Sequence, residues 1–283
     1  MSDPRTVLKR AGLFAKKTFG QNFLVAPHVV ENIASACVPE AEVGHARVLE
    51  LGAGTGALTR ALAARAASVV AVERDRDLVP VLRDELAPWL DAGKVSLVEG
   101  DAQTAEASTL LGPARPGSSR VLCGNLPYQI TGRLLERAVT HAEDVDRVVF
   151  MVQLEVADRL AAEPGSKTYG ALTVFVRAAF RVRKLFQVSP GSFHPPPDVT
   201  SAVILLEPER PRRAAETPTF RALVKGAFGA RRKTLRNAWS SVADRAAVAA
   251  AAEASGVSLD ARGETLDVDA FARMARALDG RAG

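Results

Sequence analysis

The 283-residue sequence predicts an α/β fold: a largely parallel sheet covered by helices on both faces, with a small helical domain at the C-terminus. Three observations predict it. Short apolar runs alternate with helical patterns from about residue 46 to 154, a glycine loop joins the first of those runs to the helix after it, and strand signals stop after residue 208. The length suffices for one large domain and a smaller one. Apolar residues make up 47% and charged residues 24%, the balance of a soluble globular protein, and no apolar run reaches the ~20 residues of a membrane span.

In chain order, residues 1–24 read as a basic arm ending in FGQNFL. Pro27 suits a first helical turn, and Val29, Val30, Ile33 and Ala34 make one apolar face, so a helix is expected over about 27–36. ARVLEL is a strand entering the loop GAGTG, and ALTRALAARA has helical spacing. SVVAVER, KVSLVEGD, RVLCGN and VDRVVFMVQ are four further strands; LVPVLRDELAPWL and GRLLERAVTHA are helices among them. EVADRLAAEP is a helix, GSKTYG a loop and ALTVFVRAAF a mixed apolar stretch. KLFQVS and SAVILLEP, separated by FHPPPD, suggest an antiparallel hairpin at the sheet edge. PERPRRAAETP reads as a linker, and residues 217–283 carry only helical signals. The expected division is an arm over 1–24, a sheet domain over 25–208 and a helical domain over 217–283.

Composition excludes some classes. The two cysteines, Cys37 and Cys123, make neither a metal-ligand spacing nor a disulfide framework, and the four histidines are scattered, so buried structural thiols and no metal are expected. The N-terminus has no secretory pattern, which leaves the cytoplasm as the expected location. A net charge of +5, dominated by arginine, permits a nucleic-acid partner without requiring one.

The chemistry concentrates at the strand ends. Gly52-Ala53-Gly54-Thr55-Gly56 with Ala57 satisfies G-x-G-x-x-A, which fits a nicotinamide enzyme and a nucleoside-binding one equally. Glu73 ends the second strand, 21 residues after Gly52, where a carboxylate can accept hydrogen bonds from ribose hydroxyls. Asp101 ends the third strand, where an acceptor can read an adenine amine, and Asn125 ends the fourth. An S-adenosylmethionine site needs such ribose and adenine anchors and carries no phosphate. The stretch GNLPYQIT, Gly124 to Thr131, then sets an amide, a rigid proline and an aromatic ring at the end of a buried strand, more than a turn requires.

These residues carry a resemblance. FGQNFL (19–24), ELGAGTGALT (50–59), VERD (72–75), GDA (100–102), GNLPY (124–128), FHPPPDVTSAV (193–203) and RRKTLRN (231–237), in this order over nearly the whole chain, resemble the ribosomal small-subunit adenine dimethyltransferases, the KsgA/RsmA family. The resemblance implies a Rossmann-like methyltransferase sheet, S-adenosylmethionine as cofactor with S-adenosylhomocysteine as product, and N6-dimethylation of two adjacent adenosines in the 3′-terminal hairpin of small-subunit rRNA, linked to ribosome biogenesis. It implies cofactor contacts at Asn22, Leu24, Gly52, Glu73, Asp101 and Asn125, with Asn22 and Leu24 closing over the cofactor. In that frame the Asn125 side-chain oxygen and the Leu126 carbonyl accept hydrogen bonds from the target amine, Pro127 stiffens the turn, Tyr128 stacks on the base and Phe193 closes its other face. Arg231, Arg232 and Lys233 would hold RNA through its backbone, although charge runs are often plain solvated helix faces. The partner is then small-subunit rRNA or its precursor particle, and the protein acts as a monomer. Two departures stand out: Ala53 where the family often has proline, and Gln129-Ile130-Thr131 where it usually has Asn-Ile-Ser. Two alternatives share the fold: a large-subunit rRNA adenine methyltransferase of the macrolide-resistance type, and a non-catalytic RNA-binding relative.

Overall fold

The computed structural model describes residues 3–229 and 232–280. In chain order the elements are α1 (Pro4–Ala11), β1 (Phe23–Leu24), α2 (Pro27–Cys37), β2 (Arg47–Leu51), α3 (Ala57–Arg65), β3 (Ser68–Glu73), α4 (Leu78–Asp91), β4 (Val95–Glu99), α5 (Ala107–Leu111), β5 (Arg120–Asn125), α6 (Thr131–Thr140), β6 (Arg147–Gln153), α7 (Leu154–Leu160), α8 (Ala171–Ala179), β7 (Phe180–Val188), β8 (Phe193–His194), β9 (Ser201–Pro208), α9 (Pro218–Gly229), α10 (Leu235–Ala238), α11 (Arg245–Ser255) and α12 (Val268–Asp279). They fall into two compact units: Met1–Ala157 with Arg183–Pro208, and Asp158–Val182 with Glu209–Gly283. The second unit thus takes in a stretch well before the proline-rich segment at 208–218, and the division is discontinuous in sequence.

The first unit carries a seven-stranded sheet in the order β4-β3-β2-β5-β6-β9-β7. β2 through β6 pair in parallel, and β9 joins β6 antiparallel. Parallel strands buried on both faces read as continuous apolar runs, and these do. Val48, Val121, Val149 and Val203 point to one face, Leu49, Leu122, Phe150 and Ile204 to the other, and all are buried. The chain leaves β2 for β3 on one side and returns to β5 on the other, which makes a topological switch point at the carboxyl ends of β2 and β5. Open α/β sheets bind ligands in that crevice. The register aligns those ends, with Leu51 beside Val72, Glu73 beside Glu99 and Asn125 beside Met151.

Three local features depart from the sequence reading. The arm contains a helix, α1, capped by Asp3, whose carboxylate accepts from the Arg5 N–H at 2.8 Å, with Pro4 at its first position and Gly12 left-handed after its end. The mixed stretch ALTVFVRAA is the helix α8, and the strand after it starts four residues before KLFQVS. FRVRKLFQV is an edge strand exposed at Arg181, Arg183, Lys184 and Gln187, and its charges mask the strand signal. Finally, Phe23–Leu24 and Phe193–His194 form a separate antiparallel pair, Leu24 facing Phe193.

The second unit has its own core, with Trp239, Phe220, Phe271, Leu223 and Tyr169 all buried. Its buried polar tips are satisfied: the Trp239 indole N–H donates to the Leu223 carbonyl at 2.8 Å, and the Tyr169 hydroxyl donates to the Leu266 carbonyl at 2.9 Å. Asp244 and Asp267 cap α11 and α12. Among the described residues, no helix is long and apolar enough to cross a membrane.

Candidate functional site

A pocket opens at the switch point, where open α/β sheets bind their ligands. Five of the six residues expected to touch a cofactor line it: Asn22, Gly52, Glu73, Asp101 and Asn125. Leu126, Pro127 and Tyr128 line it as well. Leu24 does not. It is buried and lines a smaller neighbouring cavity with Phe23, Glu50, Gly52, Gly54 and Asn125, so the two cavities share walls.

The glycine loop turns through left-handed conformations at Gly52, Gly54 and Gly56. At Gly54 a Cβ would also come within 3.1 Å of the Phe23 ring, so the arm packs directly on the loop. The loop's N–H groups are largely engaged inside the protein. Gly52 and Ala53 donate to the Val72 carbonyl, Gly56 to the Ala53 carbonyl, and Gly54 to Glu73 Oε2 at 2.8 Å. A pyrophosphate bound in the manner of dinucleotides needs such groups free. With Glu73 and Asp101 lining the pocket as well, this loop suits a nucleoside without phosphates.

Glu73 is fixed at both oxygens, since Oε1 accepts from the Asp75 N–H at 2.8 Å while Oε2 takes Gly54. Burial pushes its pKa up, and the backbone N–H bonds from Asp75 and Gly54 oppose that. Asp101 accepts from the Gln103 N–H at 2.9 Å and faces Arg74 at 3.5 Å. Arg74 in turn stacks on the Phe19 ring at 4.8 Å. Phe19, Val72, Ala102 and Ile130 give the pocket its apolar wall.

The arm is strapped down at several points. Lys16 Nζ reaches Asp75 at 2.5 Å and Asp77 at 2.6 Å, the Gln21 amide donates to Asp75 at 2.8 Å, and the Asn125 amide donates to the Asn22 carbonyl at 2.9 Å. Burial opposes ionisation of Asp75, but the bonds from Lys16, Gln21 and the Asp77 N–H outweigh it and hold its pKa below the usual carboxylate value. The Asn125 bond commits the amide N–H to the arm and leaves the side-chain oxygen as an acceptor.

The GNLPYQIT segment is shaped by its neighbours. A Cβ at Gly124 would fall 2.5 Å from the Leu51 carbonyl, so only glycine lets β5 end this close to β2. Leu126 N–H donates to the Met151 carbonyl at 3.1 Å and continues the ladder. The Pro127 carbonyl accepts from the Ile130 N–H and from the Thr131 hydroxyl, each at 3.1 Å, which leaves the Leu126 carbonyl as the one not used in closing this turn. The Tyr128 hydroxyl lies 2.7 Å from that of Ser201. The segment that departs from the family pattern is tied in by side chains: Thr131 closes the turn, and the Gln129 carboxamide packs over Gly20 of the arm, where a Cβ would collide with it.

Phe193 requires a correction. It is 4% exposed, pairs with Leu24 and belongs to the core of the first unit rather than to the pocket wall. An aromatic ring beside an apolar strand gains more from burial than from facing solvent. Arg231 lies outside the described residues, while Arg232 and Lys233 are exposed between α9 and α10 of the second unit. Sequence reasoning missed Phe19, Gln21, Arg74 and Ser201. All four sit inside the quoted motifs FGQNFL, VERD and FHPPPDVTSAV, where the signal was present but unread.

The ribosomal RNA adenine dimethylase family matches the chain over residues 12–279. The chain is 44% identical to a protein named ribosomal RNA small subunit methyltransferase A from Anaeromyxobacter sp. (strain K), over 97% of each. It is 41% identical to the protein of the same name from Myxococcus xanthus (strain DK1622), over 98% of this chain and 96% of the other. Among solved structures, a dimethyladenosine transferase from Plasmodium falciparum has a TM-score of 0.77 at 23% identity, covering 92% of this chain and 98% of that one, and shares the fold. The 23S rRNA methyltransferase ErmE has a TM-score of 0.65 at 26% identity, covering 91% of this chain and all of that one.

Proposed function

The chain belongs to the ribosomal RNA adenine dimethylase family, and from that premise we propose that it dimethylates N6 of two adjacent adenosines in the 3′-terminal hairpin of small-subunit rRNA, with S-adenosylmethionine as methyl donor. The observation that carries this reading is the convergence of Glu73, Asp101, Asn125 and Tyr128 on one pocket beneath the arm. The higher identity to relatives named for the small subunit, 44% against 26% for ErmE, supports that target over the large subunit. In this reading the protein works in the cytoplasm as a monomer.

The residues fit the cofactor: two carboxylates, an apolar wall and a loop whose Gly52, Ala53, Gly54 and Gly56 N–H groups are turned to the protein suit a cationic nucleoside. Glu73 would hold its ribose hydroxyls and Asp101 its adenine amine, with Asn22 and Gly52 against it and Leu24, at the end of the arm, behind them in the neighbouring cavity. When bound, S-adenosylmethionine supplies an electrophilic methyl group on a sulfonium. The protein's task is then to position and polarise a poor nucleophile, the delocalised adenine amine. The Asn125 oxygen and the Leu126 carbonyl accept its two N–H bonds and favour a pyramidal, partly positive nitrogen. Tyr128 stacks on the base, an interaction typically worth ~1–3 kcal/mol. The nitrogen becomes acidic once methylated, so its proton can leave to water without a strong base. The target must be flipped out of its stack to arrive there. Arg232 and Lys233, with Arg231, would hold the RNA backbone.

Incubation with labelled S-adenosylmethionine and a mixture of under-methylated small and large ribosomal subunits, followed by mapping of the modified nucleotides, tests the proposal. Two adjacent dimethyladenosines near the 3′ end are expected. Label confined to large-subunit rRNA, or no label at all, would replace this reading with one of the two alternatives.

A further inference from the structure

Ser201 is a polar side chain with no exposure at the start of β9, opposite Gln153 of β6, and the function proposed above gives it no task. A buried hydroxyl needs a partner. Its partner is the Tyr128 hydroxyl, 2.7 Å away and 73 residues earlier in the chain. Tyr128 is therefore held at both ends. Its backbone sits in the short turn closed by the Ile130 N–H and the Thr131 hydroxyl on the Pro127 carbonyl. Its tip is tied to a strand in the sheet. A tyrosine ring has two side-chain torsions; a bond at its para oxygen, which lies on the axis of the second, fixes where the ring axis points, and the preference of a phenol for hydrogen bonds in its own plane biases rotation about that axis. Phenylalanine would stack on a base as well but could not be fixed in this way. A preorganised stacking surface loses less freedom when the base arrives.

We propose that Ser201 is a positioning residue for methyl transfer: its hydrogen bond to the Tyr128 hydroxyl anchors the tip of the ring on which the target adenine stacks and so fixes where that ring stands in the pocket. The proposal rests on the stacking role given to Tyr128 above. It also gives the DVTSAV segment a part in the site, through a hydroxyl rather than through the Phe193 ring.

Ser201→Ala and Tyr128→Phe each remove one hydroxyl of the pair. With the full-length protein and under-methylated small subunits, each is expected to lower kcat/KM roughly 2- to 12-fold, the effect of one hydrogen bond. The loss should appear as a raised KM for RNA, with the S-adenosylmethionine Kd and the melting temperature close to those of the parent. The double variant should be no worse than the poorer single one, because the two changes remove the same bond. Tyr128→Ala should lose more than either. If Ser201→Ala is impaired and Tyr128→Phe is not, or if their losses multiply, Ser201 does not act through the tyrosine. A Ser201→Ala chain whose loss of kcat is matched by its loss of folded, S-adenosylmethionine-binding protein has lost only active protein, and the positioning role falls. If both single variants match the parent while Tyr128→Ala is inactive, stacking stands and the inference alone fails. An unimpaired Tyr128→Ala would remove the stacking reading and this inference together.

Discussion

Glu50 begins the glycine loop as a fully buried carboxylate, bonded to the Thr59 hydroxyl at 2.6 Å and close to Glu73. Burial, with a smaller contribution from Glu73, pushes its pKa up to about 8. Between the ordinary carboxylate value and about 8 the unfolded chain has lost this proton and the folded chain keeps it, so stability falls as pH rises through that window. Glu50→Gln keeps an acceptor for Thr59 and removes the titration. It is expected to raise the melting temperature at pH 8, by on the order of a few kcal/mol of stability, and to change little near pH 4. Melting curves across that range check it, and equal differences at both ends would place the effect elsewhere. At the same scale, Asn125→Ala should reduce methyl transfer by at least ~100-fold while S-adenosylmethionine still binds, more weakly, by calorimetry; undiminished turnover would remove its role. Glu73, Asp101 and Asn125 were legible as pocket-lining residues because each stands where an apolar run ends. Ser201 and Phe193 were not. One owes its place to a partner 73 residues away and the other to a short strand pair, and neither relation leaves a local pattern.

The arm is the element on which the site depends most. Residues 16–24 cross the pocket and are held by Lys16 and Gln21 on Asp75, by Asn22 on Asn125, and by the pairing of Phe23–Leu24 with Phe193–His194. Because the pKa of Asp75 is held below the usual value, its contribution is present at all pH above that value and is lost only as pH falls through the folded one. Arm closure should therefore be insensitive to pH near neutrality. Asp75→Asn removes the charge that both Lys16 and Gln21 use, and hydrogen bonds to charged groups are worth about 1.5–3 kcal/mol. S-adenosylmethionine affinity is expected to fall roughly 10-fold or more, with faster tryptic cleavage after Lys16 or Lys17. Unchanged affinity together with unchanged cleavage would mean that the other ties suffice. The sequence showed a basic arm here but not its helix, although the signals were local: Asp3, Pro4 and Gly12 are a capping set. The tertiary ties were out of reach, because Asp75 lies 59 residues from Lys16.

At the scale of the whole molecule, two units with separate cores divide the chemistry proposed for this chain. The first holds the pocket, and the second, built around Trp239 and Phe271, carries the exposed pair Arg232 and Lys233. The parallel sheet was legible because strands buried on both faces leave unbroken apolar runs. The discontinuous second unit was not, because residues 158–182 join it through packing of Tyr169, Val174 and Phe175 rather than through any change of composition. A net charge of +5 says only that RNA is an admissible partner; contact with its phosphates makes a sharper claim. Each phosphate neutralised adds about 0.7–0.9 to the slope of log affinity against log salt. Replacing both residues, Arg232→Glu with Lys233→Glu, is expected to reduce that slope by roughly 1–2 and to weaken small-subunit rRNA binding most at low salt. The S-adenosylmethionine Kd should stay as it is, because neither residue lines the pocket. Filter binding from 50 to 200 mM salt, about the range over which such contacts are lost, measures the slope. An unchanged slope would make these two charges the solvated face of a turn and move the RNA contact to other residues.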